Sequence, residues 1–238
     1  MTTERPTYHE LARRWKALRA SHDVRVREVA CVGAPRTLLC AELGDASLPV
    51  VSIAAGVHGD EPAGALALLA LVVDNALDPR FAYRLWPCTN PTGFERGTRE
   101  SVDGVDLNRT FGRGGGSPEA RAIVTANRDY RFALALDLHE DDDADGFYCY
   151  AYGDGALGDA VVDAVRASGA PCDARGCLRP DPHAEAEELG GLSLSLLLRR
   201  NAAERTLTFE TASRLELGAR IATHVIAVKA VLSQTTVK

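Results

Sequence analysis

The sequence predicts a three-layer α/β/α sandwich around a mixed, mostly parallel central sheet, and three observations carry that expectation. Short apolar runs of strand length alternate with longer helix-patterned stretches, as repeated strand–helix–strand units require. The runs 48–55 and 132–138 are almost wholly apolar, as strands covered on both faces must be. Histidine and glutamate side chains sit just beyond such runs, where open α/β sheets collect their sites.

Each element has a local reason. Leu11, Trp15 and Leu18 recur near helical spacing with Arg and Lys between them, so 8–20 reads as an amphipathic helix. Two β-rich runs, 24–32 and 37–43, flank Gly33-Ala34-Pro35-Arg36 and read as a hairpin. The buried strand 48–55 ends at Gly56. Pro62 opens a helix to about 75, because the N–H that proline lacks has no partner in a first turn anyway. The same proline pushes Glu61 away from helical dihedrals and into the strand-to-helix junction. A strand over 81–88 leads into 89–117, a long connection rich in Gly, Arg and Asp, of the kind that is functional or disordered. A helix over 118–130, the strand 132–138 delivering His139, a strand over 147–152 and a helix over 157–167 follow. The stretch 170–189 reads as irregular. A helix over 192–203, a strand over 205–209 delivering Glu210, and a closing helix over 215–232 complete one domain over 1–238. Within it, the helix and hairpin of 7–43 precede a catalytic core over 48–212.

The 238 residues, 46% hydrophobic and 25% charged, suffice for a sizeable core. A net charge of −6 argues against general affinity for nucleic acid or an anionic membrane. The polar start lacks a signal-peptide core, and no run approaches the roughly 20 apolar residues of a spanning helix, so a cytoplasmic protein is expected. Six cysteines form no CxxC pair and read as reduced thiols. Cys172 and Cys177 alone are close enough for a local disulfide, which a reducing compartment disfavours. Oligomeric state is left open.

Four segments carry the chemistry. His58-x-x-Glu61 supplies an imidazole and a carboxylate from one turn; alone, such a pair reads first as a solvated turn. His139 ends an apolar strand and alone could be a satisfied core histidine. Together the three make a His2Glu donor set, which in zinc hydrolases leaves a coordination position for water. In Asp106-Leu107-Asn108-Arg109, Arg109 and Asn108 can hold a substrate carboxylate, since guanidinium binds carboxylate as a planar fork. Asp106 can orient a metal-bound histidine from behind; a surface ion-pair turn is the bland alternative. Glu210 is a general-base candidate at a strand end, or else a structural carboxylate paired with an arginine. The acidic run 140–145 reads as a solvated face, with recruitment of a cationic substrate group as the alternative. Gly112-Arg113-Gly114-Gly115-Gly116 lacks the Lys-Ser/Thr of a phosphate-binding loop.

The ordered set His58-x-x-Glu61, Asn90-Pro91-x-Gly93, Arg99 ahead of Asp106-Leu107-Asn108-Arg109, Asp137-Leu138-His139 and Thr208-Phe209-Glu210 resembles the zinc carboxypeptidase superfamily. In particular it resembles the succinylglutamate desuccinylase and aspartoacylase branch, over about residues 50–212. The resemblance implies one zinc per chain on His58, Glu61 and His139, Glu210 as general base, and Asp106 behind His58. It implies Arg99 at the scissile carbonyl, with Arg96 as the alternative, and Asn108 with Arg109 on the substrate carboxylate. It offers no tyrosine between 170 and 189 to match the late-loop tyrosine of carboxypeptidases, so no catalytic tyrosine is assigned. Only 28 residues follow Glu210, where aspartoacylase-like enzymes carry a β-rich domain. The length matches compact bacterial carboxypeptidases and murein-peptide amidases. The function expected is therefore a zinc-dependent hydrolase cleaving an amide bond near a free carboxylate, foremost a metallocarboxypeptidase acting on peptides. An N-acyl amino acid deacylase is the alternative, and a non-catalytic metal-binding protein ranks below both. The partner is a small molecule or peptide bearing that carboxylate.

Overall fold

The computed structural model describes residues 4–112, 116–182, 184, 193–201 and 203–236. Helix α1 (Tyr8–Ala17) opens on a capping box, in which Thr7 and Glu10 satisfy each other's backbone amides. Its Leu11 and Trp15 are fully buried, as their spacing requires. Strands β1 (Val24–Val29) and β2 (Leu38–Leu43) form the expected antiparallel hairpin. Then come β3 (Val50–Ala55), α2 (Pro62–Val73) with proline in its first turn, and β4 (Ala82–Trp86).

The connection 89–117 departs from expectation, for it contains helix α3 (Pro91–Arg96) and a short 3-10 turn at Leu107–Arg109. Asn90 caps α3, Pro91 occupies its first turn and Gly97 ends it at φ +71°. Those signals stand in the sequence, but six residues are too few for an apolar period to show. Helix α4 (Pro118–Asn127), β5 (Leu134–Asp141), β6 (Phe147–Tyr152) and α5 (Gly155–Ala167) fall where predicted. The stretch read as irregular contains strand β7 (Cys172–Leu178), a sheet-edge strand whose Asp, Arg and Gly disguise it. Residues 183 and 185–189 of that stretch, like 113–115 of the glycine-rich loop, lie outside the described residues. Helix α6 (Leu194–Asn201), β8 (Thr206–Ala212) and α7 (Leu217–Gln234) complete the order. His139 and Glu210 lie inside β5 and β8 rather than just past them, because both strands run on beyond their apolar runs.

The eight strands form one sheet in the order β1-β2-β4-β3-β5-β8-β6-β7. The central strands β4, β3, β5 and β8 are mutually parallel, β6 runs antiparallel to β8, and β7 pairs parallel with β6. Alternation divides the sheet. Leu136, Leu138, Leu207 and Phe209 join one core with α1, α2, α5 and α7. Ala54, Trp86 and Ala135 join a second, smaller core with α4 and α6 on the opposite face. Strand β3 has β4 on one side and β5 on the other, so the order reverses there and the carboxyl ends diverge into a crevice. Among the described residues no helix is long and apolar enough to cross a membrane.

Candidate metal and catalytic centre

Gly56 ends β3 in the left-handed region at φ +63° and turns the chain toward His58. Gly59 then passes so close to α3 that a Cβ on it would fall 1.9 Å from the Gly93 carbonyl carbon. Helix α3 thus backs the histidine turn. Asn90 Oδ1 accepts from the Gly93 amide at 2.9 Å while its Nδ2 donates to the Arg99 carbonyl at 3.1 Å. Arg5 donates to the carbonyls of Gly59 and Phe94. Asn90-Pro91-x-Gly93 therefore supports the site and does not line it.

His58, Glu61 and His139 are all buried, with their ligating atoms within 4.8 Å of one another. The Glu61 carboxylate lies between the rings, Oε1 2.5 Å from His58 Nδ1 and Oε2 3.0 Å from His139 Nδ1. Each ring turns its Nε2 toward an aspartate: His58 to Asp106 Oδ1 and His139 to Asp137 Oδ2, both at 3.3 Å. The Glu140 amide donates to Glu61 Oε2 at 3.1 Å.

Burial pushes the Glu61 carboxyl upward, but His139 and His58 outweigh it and bring it down to about 2. Burial likewise disfavours charge on His139, and Asp137 with Glu61 overrides it, raising that imidazole well above its ordinary value. Buried histidines held charged by surrounding carboxylates mark a pocket whose anionic field suits a cation. Two imidazoles and a carboxylate, facing an open cavity, suit a divalent metal that keeps one position for water.

Glu210 is the cross-strand partner of His139 and lines the same cavity. Burial raises its carboxyl to about 8, with Glu61, Asp141 and Asp137 acting the same way against the lowering effect of His139. Arg99 also lines the cavity, with Nη1 3.3 Å from His58 Nδ1 and its other nitrogens donating to Asp106 Oδ2 at 3.0 and 3.2 Å. Arg96 is exposed on the last turn of α3 and does not line it. Asn108 and Arg109 line the cavity as well. Asn108 Oδ1 accepts from the Leu194 amide at 3.1 Å, which leaves its amide nitrogen as the donor for a substrate.

The cavity holds about 220 Å³, room for one small substrate group. Sequence reasoning left part of its wall unassigned. Tyr148, Tyr150 and Tyr152 line it from one face of β6, a placement their spacing of two encodes. Tyr148 donates to Asp141 Oδ2 at 2.8 Å, its ring covered by the Arg175 guanidinium. Ser193, Ser195 and Thr208 complete the wall.

The acidic run is not uniformly solvated. Glu140 is buried, accepts from the Ala63 amide at the start of α2 and pairs with Arg220. Asp141 pairs with Arg175 at 2.8 Å, and only Asp142, Asp143 and Asp145 are exposed. All six cysteines are free, so Cys172 and Cys177 form no disulfide.

Comparison with known proteins places this geometry in context. The family described as "Succinylglutamate desuccinylase/Aspartoacylase catalytic domain" matches residues 47–226. Among curated proteins, Carboxypeptidase SOL1 of Arabidopsis thaliana is 33% identical over 111 residues, covering 38% of this chain and 23% of that protein. This chain therefore spans only about a quarter of that relative's length. Among solved structures, a protein described as a metallopeptidase from Shewanella baltica OS155 superposes with a TM-score of 0.75 at 20% identity, covering 96% of this chain and 92% of that one. Carboxypeptidase A from Helicoverpa armigera superposes with a TM-score of 0.71 at 17% identity, covering 98% and 75%. The fold is carboxypeptidase A-like.

Proposed function

The chain belongs to the succinylglutamate desuccinylase/aspartoacylase catalytic-domain family, and from that premise we propose that it is a zinc-dependent hydrolase cleaving an amide bond close to a free carboxylate, foremost as a metallocarboxypeptidase. The observation that carries this reading is the buried His58, Glu61 and His139 cluster with the Glu210 carboxylate beside it on the next strand. Zinc held by those three residues would supply a Lewis acid and lower the pKa of water toward neutrality.

The chain's own groups do the rest. Glu210 takes the proton of the attacking water and passes it to the leaving amine. A cation held at the triad would favour the ionised, base form of Glu210. Arg99 faces the oxygen that gains charge during attack. Arg109 and the Asn108 amide nitrogen hold the substrate carboxylate. Asp106 Oδ1 lies 3.3 Å from His58 Nε2, where it favours the tautomer that turns Nδ1 toward the metal. The carboxypeptidase relatives favour a peptide. The family match favours the second reading, an N-acyl amino acid deacylase using the same residues.

Amine release by the zinc-loaded protein across N-acyl amino acids, C-terminal peptides and γ-glutamyl peptides separates the two. Turnover of one class, lost in Glu210→Gln, is expected. Retention of zinc with no Glu210-dependent turnover would overturn the reading in favour of a non-catalytic metal-binding protein.

A further inference from the structure

We infer that Asp137 is a second positioning carboxylate of the metal centre, fixing His139 as Asp106 fixes His58, and that Ser195 and Thr208 anchor it to helix α6. The inference rests on the proposed zinc site and assigns a residue that the reading above leaves without a role.

The two histidines are arranged alike but supported differently. Both turn Nδ1 to Glu61 and Nε2 to an aspartate 3.3 Å away. Asp106, however, is shared. It also accepts from Arg99 and from the Asn108 amide, and it sits on a partly exposed turn. Asp137 is 1% exposed, and among the described residues its Oδ2 faces only His139 Nε2 and the Ser195 hydroxyl, the latter at 3.5 Å. Ser195 is in turn 2.8 Å from the Thr208 hydroxyl on β8.

The other oxygen, Asp137 Oδ1, is buried without a hydrogen-bond partner among the described residues. A buried carboxylate with one unsatisfied oxygen is costly unless a facing charge compensates it. The facing group is His139, two residues along the same strand and so on the same face by backbone geometry alone. Acceptance by Asp137 of the Nε2 proton leaves the Nδ1 lone pair directed at the Glu61 side, the tautomer a metal needs. Because this pair sits within a central strand and not on a loop, the ring's orientation is set before any metal arrives.

The test measures zinc affinity by competition with a chromophoric chelator, using metal-free wild type, Asp137→Asn, Asp137→Ala and His139→Ala. Loss of the positioning carboxylate is expected to weaken zinc by about 10–100-fold, with the asparagine variant between wild type and alanine. The visible spectrum of cobalt-substituted protein is the readout that a purely structural role would not move, and it is expected to change in Asp137→Asn. Thermal unfolding of the metal-free proteins identifies any variant that has lost its fold, and the near-isosteric asparagine carries the test if alanine does so. Wild-type zinc affinity and an unchanged cobalt spectrum in Asp137→Asn would overturn the inference. Zinc binding by wild type that survives His139→Ala undamaged would overturn the metal site itself, and the inference with it.

Discussion

Leu138 and Phe209 are paired across β5 and β8, and so are their sequence neighbours His139 and Glu210, yet the two pairs face opposite sides of one sheet. The first pair lies in the larger core with α2, α5 and α7; the second lines the cavity. A strand's period of two thus separates stability from chemistry residue by residue. Along the site face, β5 changes from Ala135 to Asp137 and His139, and β8 from Thr206 to Thr208 and Glu210. The opposite face is apolar through Leu138 and Phe209, beyond which Glu140 and Thr211 turn to Arg220 and His224 of α7. Along β5 and β8 polar groups gather toward the carboxyl ends that open to the crevice, so on these strands the cost of burying them falls largely where the site uses them.

The largest expected effects test that separation directly. Glu210→Gln should lower hydrolysis by about 10²–10⁴-fold without destabilising the fold. Phe209→Ala, one residue earlier, should destabilise by about 3–5 kcal/mol through the cavity it leaves. Denaturant unfolding and steady-state rates on both variants check this, and equal stability losses would break the division. Next in size, Arg99→Ala should lower kcat by about 10²–10³-fold, whereas Arg96→Ala, on exposed surface, should leave it unchanged.

The same division explains what the sequence made legible. Core strands announce themselves because both faces are apolar over most of their length, and His58, Glu61, His139 and Glu210 stand out where that pattern stops. Helix α3 and strand β7 were hidden for opposite reasons. The first is six residues long, below the length at which a helical period can be counted. The second, at the sheet edge, carries Asp173, Arg175 and Gly176, so its alternation is blurred. Asp137 stood in the motif beside His139, but its role could not be read there. Its partner Ser195 is 58 residues away, and pairing across that distance needs the sheet register and α6 together.

The pH dependence of the metal-free protein sharpens the comparison by a smaller amount. Glu210, raised to about 8 in the fold, lies above an ordinary unfolded carboxyl, so between about pH 5 and 8 the folded state holds a proton that the unfolded state has released. His139, raised well above its ordinary value, acts with the same sign as pH climbs past its unfolded value. Glu61, lowered to about 2, contributes a constant term there, since its stabilisation is lost only on acidification. Glu140, raised to about 7 by burial, adds the same sign, and His224, lowered to about 3, opposes it below its unfolded value; the balance is expected to make stability fall from pH 5 to 8. Glu210→Gln should flatten its share of the slope. A profile that is flat or rising in the wild type would mean that the site face does not carry this strain.

The smallest effects belong to the acidic run, where the two faces no longer govern. Asp142 lines the cavity and Asp143 does not, although both are exposed. Neutralising either should change stability by no more than about 0.5 kcal/mol, as for other surface substitutions. Their effects on substrate should differ. If the run recruits a cationic group, Asp142→Asn should raise KM for amine-bearing substrates by a few-fold at most, since an exposed pair contributes about 1 kcal/mol or less, and Asp143→Asn should not. An equal rise on neutral substrates would remove charge recruitment and leave only a perturbed strand end. The contrast is informative because Glu140 and Asp141 are already committed to Arg220 and Arg175, so any charge available to a substrate must come from the exposed part of the run.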